Sequence, residues 1–125
     1  MILENKTKGM VISRKVIVRR SFGVIIGLLP YKKEHGYLYD FLKPKRFDED
    51  MAMLFKVRSP AAVHTWFMSF PICVVFLYKG KVVDKVLLKP FKRYKPEVKF
   101  DSFIEMDESK WSLIEKGDTI GISES

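Results

Sequence analysis

The sequence predicts a mainly β protein: a compact β-sandwich or barrel-like single domain over residues 1–125, with a short C-terminal helix. Two observations predict this class, and the cysteine count limits how its core can be stabilised. The apolar segments have the length of strands and alternate with glycine, proline and aspartate. The 125 residues are 47% hydrophobic and 14% aromatic, enough for the packed core of one domain. Cys73 is the only cysteine, which excludes an internal disulfide and a cysteine zinc cage.

The first half of the chain contains two predicted strands. Met10–Val18 is rich in β-branched residues and predicts one strand. Gly23–Leu29 is a short apolar run that ends at a proline, and residues 31–50 form a long polar and aromatic connection. Met51–Val57 predicts a buried strand. Ser59–Pro60 then predicts a turn or a single helical turn, with serine as the cap and proline at the first position.

The clearest local pattern is a β-hairpin. Ile72–Tyr78 is apolar on both faces, which is typical of a strand covered on both sides. Lys79–Gly80 supplies the turn, and Val82–Leu88 returns. The segment that follows contains Pro90 and Pro96, which exclude a regular central strand there.

The C-terminal part predicts a strand, a helix and a strand. Residues 100–106 are mostly apolar, and residues 118–123 close the chain as a last strand. Between them Asp107 is expected to cap a short helix, Glu108 to occupy its first turn and Gly117 to stop it.

The net charge of +8 is unevenly distributed. Residues 1–46 carry 11 basic and 3 acidic side chains, and residues 85–99 carry 6 and 1, whereas residues 100–125 carry 2 and 7. A basic chain of this kind can bind nucleic acid or another polyanion. The other interpretation is a lysine-rich, solvated surface of a thermophilic protein, because glutamine is absent and Asn5 is the single asparagine.

Nothing in the sequence predicts a membrane protein. The longest apolar stretch, Phe70–Tyr78, has the length of a strand, well short of a membrane-spanning helix. The N-terminal residues lack the charged and then apolar pattern of a secretory signal. We therefore expect a cytoplasmic protein with no membrane partner.

The segment around the hairpin contains a distinctive motif, formed by His64, Thr65, Trp66, Phe67, Met68, Phe70, Pro71, Ile72, Val74, Val75, Phe76, Gly80, Val82 and Val83. This motif resembles that of the uncharacterised conserved family named domain of unknown function 192. A Leu-x-Pro-aromatic-basic signature follows at Leu88, Pro90, Phe91 and Lys92. Ile104–Glu105 and Gly117–Asp118 match two later motifs, and residues 27–29 match an N-terminal one.

The resemblance covers roughly residues 20–122 and implies a compact β fold with a short helix, but no activity. The chain departs from the family at two positions. Cys73 stands where the family usually has an aspartate, and Tyr78 stands where an aspartate is usual at the turn. If the first aspartate has a function in the family, this chain lacks it.

The candidate ligand-binding residues are His64, Thr65, Trp66, Met68, Glu105 and Asp118. Aromatic side chains with a few convergent polar groups are typical of small-molecule sites. The alternative is that the aromatic residues belong to the core, that His64 fixes a strand edge and that Asp118 shapes a turn. Glu105 lies inside an apolar strand, so we expect it on a solvated face or paired with a lysine or arginine.

The basic segment Lys85–Lys99 interleaves cations with aromatic residues, a combination that binds single-stranded nucleic acid when it is exposed. The nucleic-acid candidates are Lys89, Phe91, Lys92, Arg93, Tyr94 and Lys95. No recognised nucleic-acid motif is present, so a solvated loop is the alternative interpretation. Cys73, between Ile72 and Val74, is expected to be a buried core residue that does not act as a nucleophile.

Three hypotheses for the function follow. The first is a non-enzymatic module that binds a small ligand or a protein partner in a groove near His64–Phe70. The second is a small hydrolase-like enzyme that uses His64 with Glu105 or Asp118. The third is an RNA- or DNA-binding protein that uses Lys85–Lys99. The sequence contains no nucleotide loop, nucleophile elbow or metal-ligand spacing, so we expect no cofactor or metal and lean away from an enzyme.

Overall fold

The structure is a computed structural model that describes residues 1–20, 50–57, 63–64, 71–90 and 92–124. These residues form ten β-strands and one 3₁₀ helix. The elements in chain order are β1 (Ile2–Asn5), β2 (Met10–Ser13), β3 (Lys15–Arg20), β4 (Met51–Lys56), β5 (Val63–His64), β6 (Ile72–Tyr78), β7 (Lys81–Leu88), β8 (Arg93–Tyr94), β9 (Ser102–Asp107), the 3₁₀ helix (Glu108–Leu113) and β10 (Ile120–Ser123).

The strands form two main sheets. A five-stranded sheet has the order β3-β4-β9-β6-β7, and a three-stranded sheet has the order β10-β1-β2. β3 and β4 are parallel, and the other pairs in both sheets are antiparallel. β5 and β8 form a separate pair of two-residue strands. The predicted mainly β fold with a short helix is confirmed, as two main sheets whose described strands do not close into a barrel.

Both faces of the five-stranded sheet are packed. One face, which we call the aromatic face, is formed by Met51, Met53, Phe55, Ile72, Val74, Phe76, Leu88, Phe100 and Phe103. The other, the aliphatic face, packs β4, β6 and β9 against the three-stranded sheet and the end of the 3₁₀ helix, through Leu3, Ile12, Ala52, Leu54, Cys73, Val75, Leu77, Val82, Ile104, Met106, Ile114 and Ile120. The strand predicted to be covered on both sides, β6, is buried from Ile72 to Leu77.

The predicted hairpin is confirmed as β6 and β7. Lys79 has a φ of 50° and Gly80 a φ of 83°. Two consecutive positive φ values match the turn whose twist suits a two-residue hairpin loop. Glycine adopts this conformation at no steric cost, whereas lysine adopts it with some strain.

The single strand predicted over Met10–Val18 is wrong. The chain forms two strands that belong to different sheets, and it changes sheet at Arg14. Asp50 holds this break, because its carboxylate accepts the Arg14 backbone N–H at 3.2 Å and its carbonyl accepts the Lys15 N–H at 3.1 Å. β1 was not predicted, since its four residues combine two apolar and two polar side chains.

The C-terminal elements follow the prediction with one difference. The Asp107 side chain accepts the Ser109 backbone N–H at 3.0 Å and so caps the 3₁₀ helix. The helix ends at Leu113, before Gly117, which has a φ of 93° in the turn ahead of β10. The predictions for residues 23–29, 31–49 and 59–60 lie outside the described residues. No helix in the described ranges is long and apolar enough to cross a membrane.

Candidate functional site

Glu105 occupies the centre of the aromatic face. β9 is the third of five strands, and Glu105 is paired in register with Met53 of β4 and Val74 of β6. The same row continues to Ile17 in β3 and Val86 in β7. Because paired residues in neighbouring strands point to the same face, the carboxyl group lies in the middle of a row of apolar side chains.

The Glu105 side chain is neither solvated nor paired with any described cation. The residue is 1% exposed, and its Oε1 accepts no hydrogen bond from any described residue. Burial penalises the charged form and raises the pKa of this carboxyl to about 8. Both expectations for Glu105, a solvated face or a lysine or arginine partner, therefore fail within the described part of the chain. Near pH 7 most of the carboxyl is neutral.

A second acidic residue lies on the same strand. Asp107 follows Glu105 by two residues and is paired in register with Ile72 of β6. Asp107 is also fully buried, but it caps the 3₁₀ helix. The two acids thus differ in role: Asp107 is held by a structural bond, whereas Glu105 makes none with the described residues.

The strand that carries His64 lies on the same side of the five-stranded sheet as Glu105. Val63 pairs with Tyr94, and His64 pairs with Arg93. The Tyr94 ring packs against Phe76 of the aromatic face, at 5.8 Å between ring centroids. The His64 side chain and the candidates Thr65, Trp66 and Met68 lie outside what the structure describes.

Asp118 lies in the other layer of the molecule and has a structural role. Its Oδ2 accepts the Asn5 Nδ2–H at 2.7 Å and the Glu115 backbone N–H at 3.0 Å, and Lys8 Nζ is 3.9 Å away. The bond from Asn5, followed by the bond from Glu115, lowers the pKa of Asp118. Because Asn5 belongs to the three-stranded sheet, Asp118 and Glu105 are on opposite sides of the central sheet.

Asn5 was not among the candidates, although the sequence contained a signal for it. It is the single amide side chain of the protein, and it is fully buried. Its Nδ2 also donates to the Leu113 carbonyl at 3.0 Å, and its Oδ1 accepts the Lys8 N–H at 3.1 Å. A single asparagine in a chain that has no other amide side chain is therefore a signal for a buried hydrogen-bond network of this kind.

Cys73 has the surroundings that were expected. It is fully buried in the aliphatic face, and burial raises the pKa of its thiol to about 12. The thiolate required of a nucleophile is therefore disfavoured. Within the described residues, no three histidine, cysteine, aspartate or glutamate side chains form a group that could hold a metal ion.

The basic segment does not form one continuous stripe. Lys89, Lys92, Arg93 and Lys95 are exposed, and Phe91 lies outside the described residues. Tyr94 is tied to the protein, because its hydroxyl donates to Asp84 Oδ2 at 2.5 Å and its ring packs on Phe76. The hydrogen bond to Asp84 also raises the Tyr94 pKa to about 12. The hydroxyl and one side of this ring are therefore engaged by the protein itself.

Lys85 is turned away from the rest of the basic segment. It pairs with Val75, whose side chain belongs to the aliphatic face. Its Nζ donates to the Trp111 carbonyl at 3.0 Å and to the Ile114 carbonyl at 2.7 Å, and lies 3.9 Å from the Trp111 ring centroid. Lys85 thus anchors the 3₁₀ helix, and its place in the predicted Lys85–Lys99 stripe is wrong.

Two solved structures are similar to this chain over most of its length. One is a protein of Sinorhizobium meliloti proposed to be a transcription regulator, at 14% identity and a TM-score of 0.68, covering 96% of this chain and 89% of that one. The other is a protein of unknown function from Novosphingobium aromaticivorans, at 15% identity and a TM-score of 0.66, covering 97% and 83%. At this identity the similarity shows the fold alone.

No family model matches the chain, and no curated protein matches it. The resemblance to domain of unknown function 192 therefore stays a prediction.

Proposed function

We propose that the protein is a non-enzymatic binding module that takes a small ligand on the aromatic face, beside the strand of His64, with Glu105 as the polar contact. One observation carries the proposal. Glu105 is buried at the centre of an apolar face, and its Oε1 accepts no hydrogen bond from the described residues. Buried polar atoms in proteins almost always have a partner, so an exception calls for an explanation.

The cost of this arrangement supports a functional reason. An unsatisfied buried polar group costs about 1–3 kcal/mol, a cost that an apolar residue of similar shape would not carry. Met53 and Val74 are its apolar neighbours in the same row. A leucine or methionine at position 105 would suit such a row better, so the acid is best explained by a ligand that it binds.

The surroundings define the chemistry of that ligand. The apolar part of the ligand would pack on the apolar side chains of the aromatic face, and a hydrogen-bond donor of the ligand would face the Glu105 carboxyl oxygen. An amine satisfies both needs with one charged head. A bound ammonium group would favour the ionised carboxylate and lower the pKa of Glu105 from about 8. Binding of an amine near pH 7 should therefore release a proton.

Three matched probes test the proposal: 2-phenylethylamine, 2-phenylethanol and 3-phenylpropionate, which share an apolar ring and differ in the head group. The amine should bind most tightly, with a Kd on the order of 1 mM, which corresponds to about 4 kcal/mol. The alcohol should bind more weakly, and the carboxylate should not bind. Chemical-shift perturbation in ¹H–¹⁵N spectra, with titration calorimetry in buffers of different ionisation enthalpy, measures affinity and proton release.

Two variants distinguish binding at Glu105 from nonspecific binding elsewhere on the protein. Glu105→Gln preserves shape and should abolish the preference for the amine over the alcohol, and Cys73→Ala on the opposite face should leave it unchanged. Equal binding of all three probes by the native protein, or an amine preference that survives in Glu105→Gln, would overturn the proposal. So would the absence of any shift of aromatic-face resonances at several millimolar probe.

A hydrolase-like enzyme that uses His64 with Glu105 is the second candidate. The observation that favours it is the raised pKa, because a carboxyl that keeps its proton near pH 7 can serve as a general acid. Asp118 is the weaker partner, since its carboxylate is engaged by Asn5 and Glu115 on the other side of the sheet. Turnover of nitrophenyl esters or phosphates that is lost in both His64→Ala and Glu105→Gln would support this candidate.

We also propose that the chain belongs to the family named domain of unknown function 192. In support, the resembling motifs coincide with elements of the fold: the Gly80 turn joins β6 to β7, Glu105 lies within β9, and Gly117–Asp118 precedes β10. An experimental structure of a family member should have a glutamate at the equivalent position of its central strand. A family fold without that strand order would contradict the assignment.

A further inference from the structure

Four exposed lysines lie at one end of the five-stranded sheet, where β4 and β6 end and β9 begins. We call this surface the basic end; its residues are Lys56, Lys79, Lys81 and Lys99, together with Tyr78. Backbone hydrogen bonds connect the chain segments that form this surface. The Val57 N–H donates to the Asp101 carbonyl at 3.1 Å, and the Asp101 N–H donates to the Leu77 carbonyl at 2.9 Å.

Tyr78 is the aromatic centre of the basic end. The side chain is half-buried at the end of β6. Lys79 Nζ and Lys99 Nζ each lie 5.4 Å from its ring centroid, within the range of a cation–π contact. Two ammonium groups therefore lie over one ring, and a base that stacks there takes the place of at least one of them. In the basic segment, by contrast, the Tyr94 ring is packed against the aromatic face.

The basic end carries a net positive charge even when its acidic residue is included. Asp101 is the acidic residue among the described residues of this surface, and its carboxylate accepts the Lys79 backbone N–H at 3.0 Å and the Ser102 hydroxyl at 3.2 Å. Four lysines less one aspartate leave a charge of +3. β3 ends at the same place, since its last residue, Arg20, pairs with Lys56.

We propose that the basic end binds single-stranded nucleic acid, with lysine ammonium groups on the phosphates and a base stacked at Tyr78. Cations that follow the backbone, combined with an aromatic ring for the bases, are the means by which proteins hold single strands without reading sequence. The ring is supported by the sheet, so little ordering is required on binding. This inference does not depend on the proposed ligand site at Glu105.

Fluorescence anisotropy with a labelled single-stranded RNA of mixed sequence, at low and rising salt, tests the inference. The double variant K79Q/K99Q should bind at least tenfold more weakly, and the slope of log K against log salt should decrease by about 1.4, because each phosphate contact on a single strand contributes about 0.7. Tyr78→Leu should lose about tenfold in affinity while the slope stays unchanged. Thermal denaturation of each variant verifies that it is folded.

The matched control is K92Q/R93Q, which removes the same charge from the basic segment. It should retain most of the affinity, and Glu105→Gln should retain all of it. Equal losses in the two double variants would overturn the inference, because they would mean that net charge and not the basic end attracts RNA. Binding to vesicles of phosphatidylserine and phosphatidylcholine without binding to RNA, or no RNA binding at tens of micromolar protein, would overturn it as well.

Discussion

Replacement of Glu105 by glutamine should change how the free energy of unfolding depends on pH. A carboxyl whose pKa is higher in the folded than in the unfolded protein binds its proton more tightly when folded. The folded state therefore loses stability as pH rises from the ordinary pKa of 4.5 towards about 8, and the loss is complete above that value. Glu105→Gln cannot ionise, so this contribution should disappear in the variant.

The magnitude follows from the two pKa values. Each pH unit between 4.5 and about 8 is worth about 1.36 kcal/mol, which gives about 5 kcal/mol in total. Most of this, about 4 kcal/mol, falls between about pH 5 and pH 9. Because a domain of this size has a total stability on the order of 10 kcal/mol, the effect is large enough to measure.

Urea denaturation of both proteins at about pH 5, 7 and 9 gives the required free energies of unfolding. All other titrating groups are shared, so they cancel in the difference between the two proteins at each pH. That difference should move by about 4 kcal/mol in favour of Glu105→Gln as the pH is raised. Parallel pH profiles for the two proteins would refute the reasoning, because they would mean that Glu105 ionises normally in the folded state.

Three further predictions concern the surroundings of Cys73, Lys85 and Tyr94. Cys73 should react with a thiol reagent only after unfolding, because its thiol is buried with a pKa near 12; labelling within minutes in native buffer would contradict this. Lys85→Met should destabilise by about 2 kcal/mol through loss of two carbonyl contacts, whereas Lys81→Met, an exposed control, should change little; equal thermal shifts would argue against the anchor. Tyr94→Phe should cost about 1–2 kcal/mol in urea denaturation through loss of the bond to Asp84, and an unchanged midpoint would show that this bond contributes nothing.

Local patterns in the sequence were sufficient for much of the fold. The β6–β7 hairpin was predictable because Lys79–Gly80 supplies turn chemistry between two apolar runs. The capped helix was predictable because Asp107 precedes a polar turn. The break at Arg14 was not, since the bonds that create it come from Asp50, far away in the chain.

The candidate site was predictable in part. An acid inside an apolar strand marked Glu105, but period-two patterning cannot tell which face of a strand is buried when both are apolar. For the same reason the sequence could not show which face of β7 carries the Lys85 side chain. In the structure its pairing with Val75 answers this question. Tyr78 was noted only as a departure from a family pattern, and its neighbour Lys99 comes from a different part of the chain.

The most direct test of the proposed function is a ¹³C NMR titration of the Glu105 side-chain carboxyl carbon, assigned by comparison with Glu105→Gln. A midpoint near pH 8 is expected in the free protein, falling towards neutral or lower pH when 2-phenylethylamine is added. A midpoint near 4.5 in the free protein, or one near 8 that the amine does not move, would contradict the assignment of Glu105 as the polar contact of a ligand site.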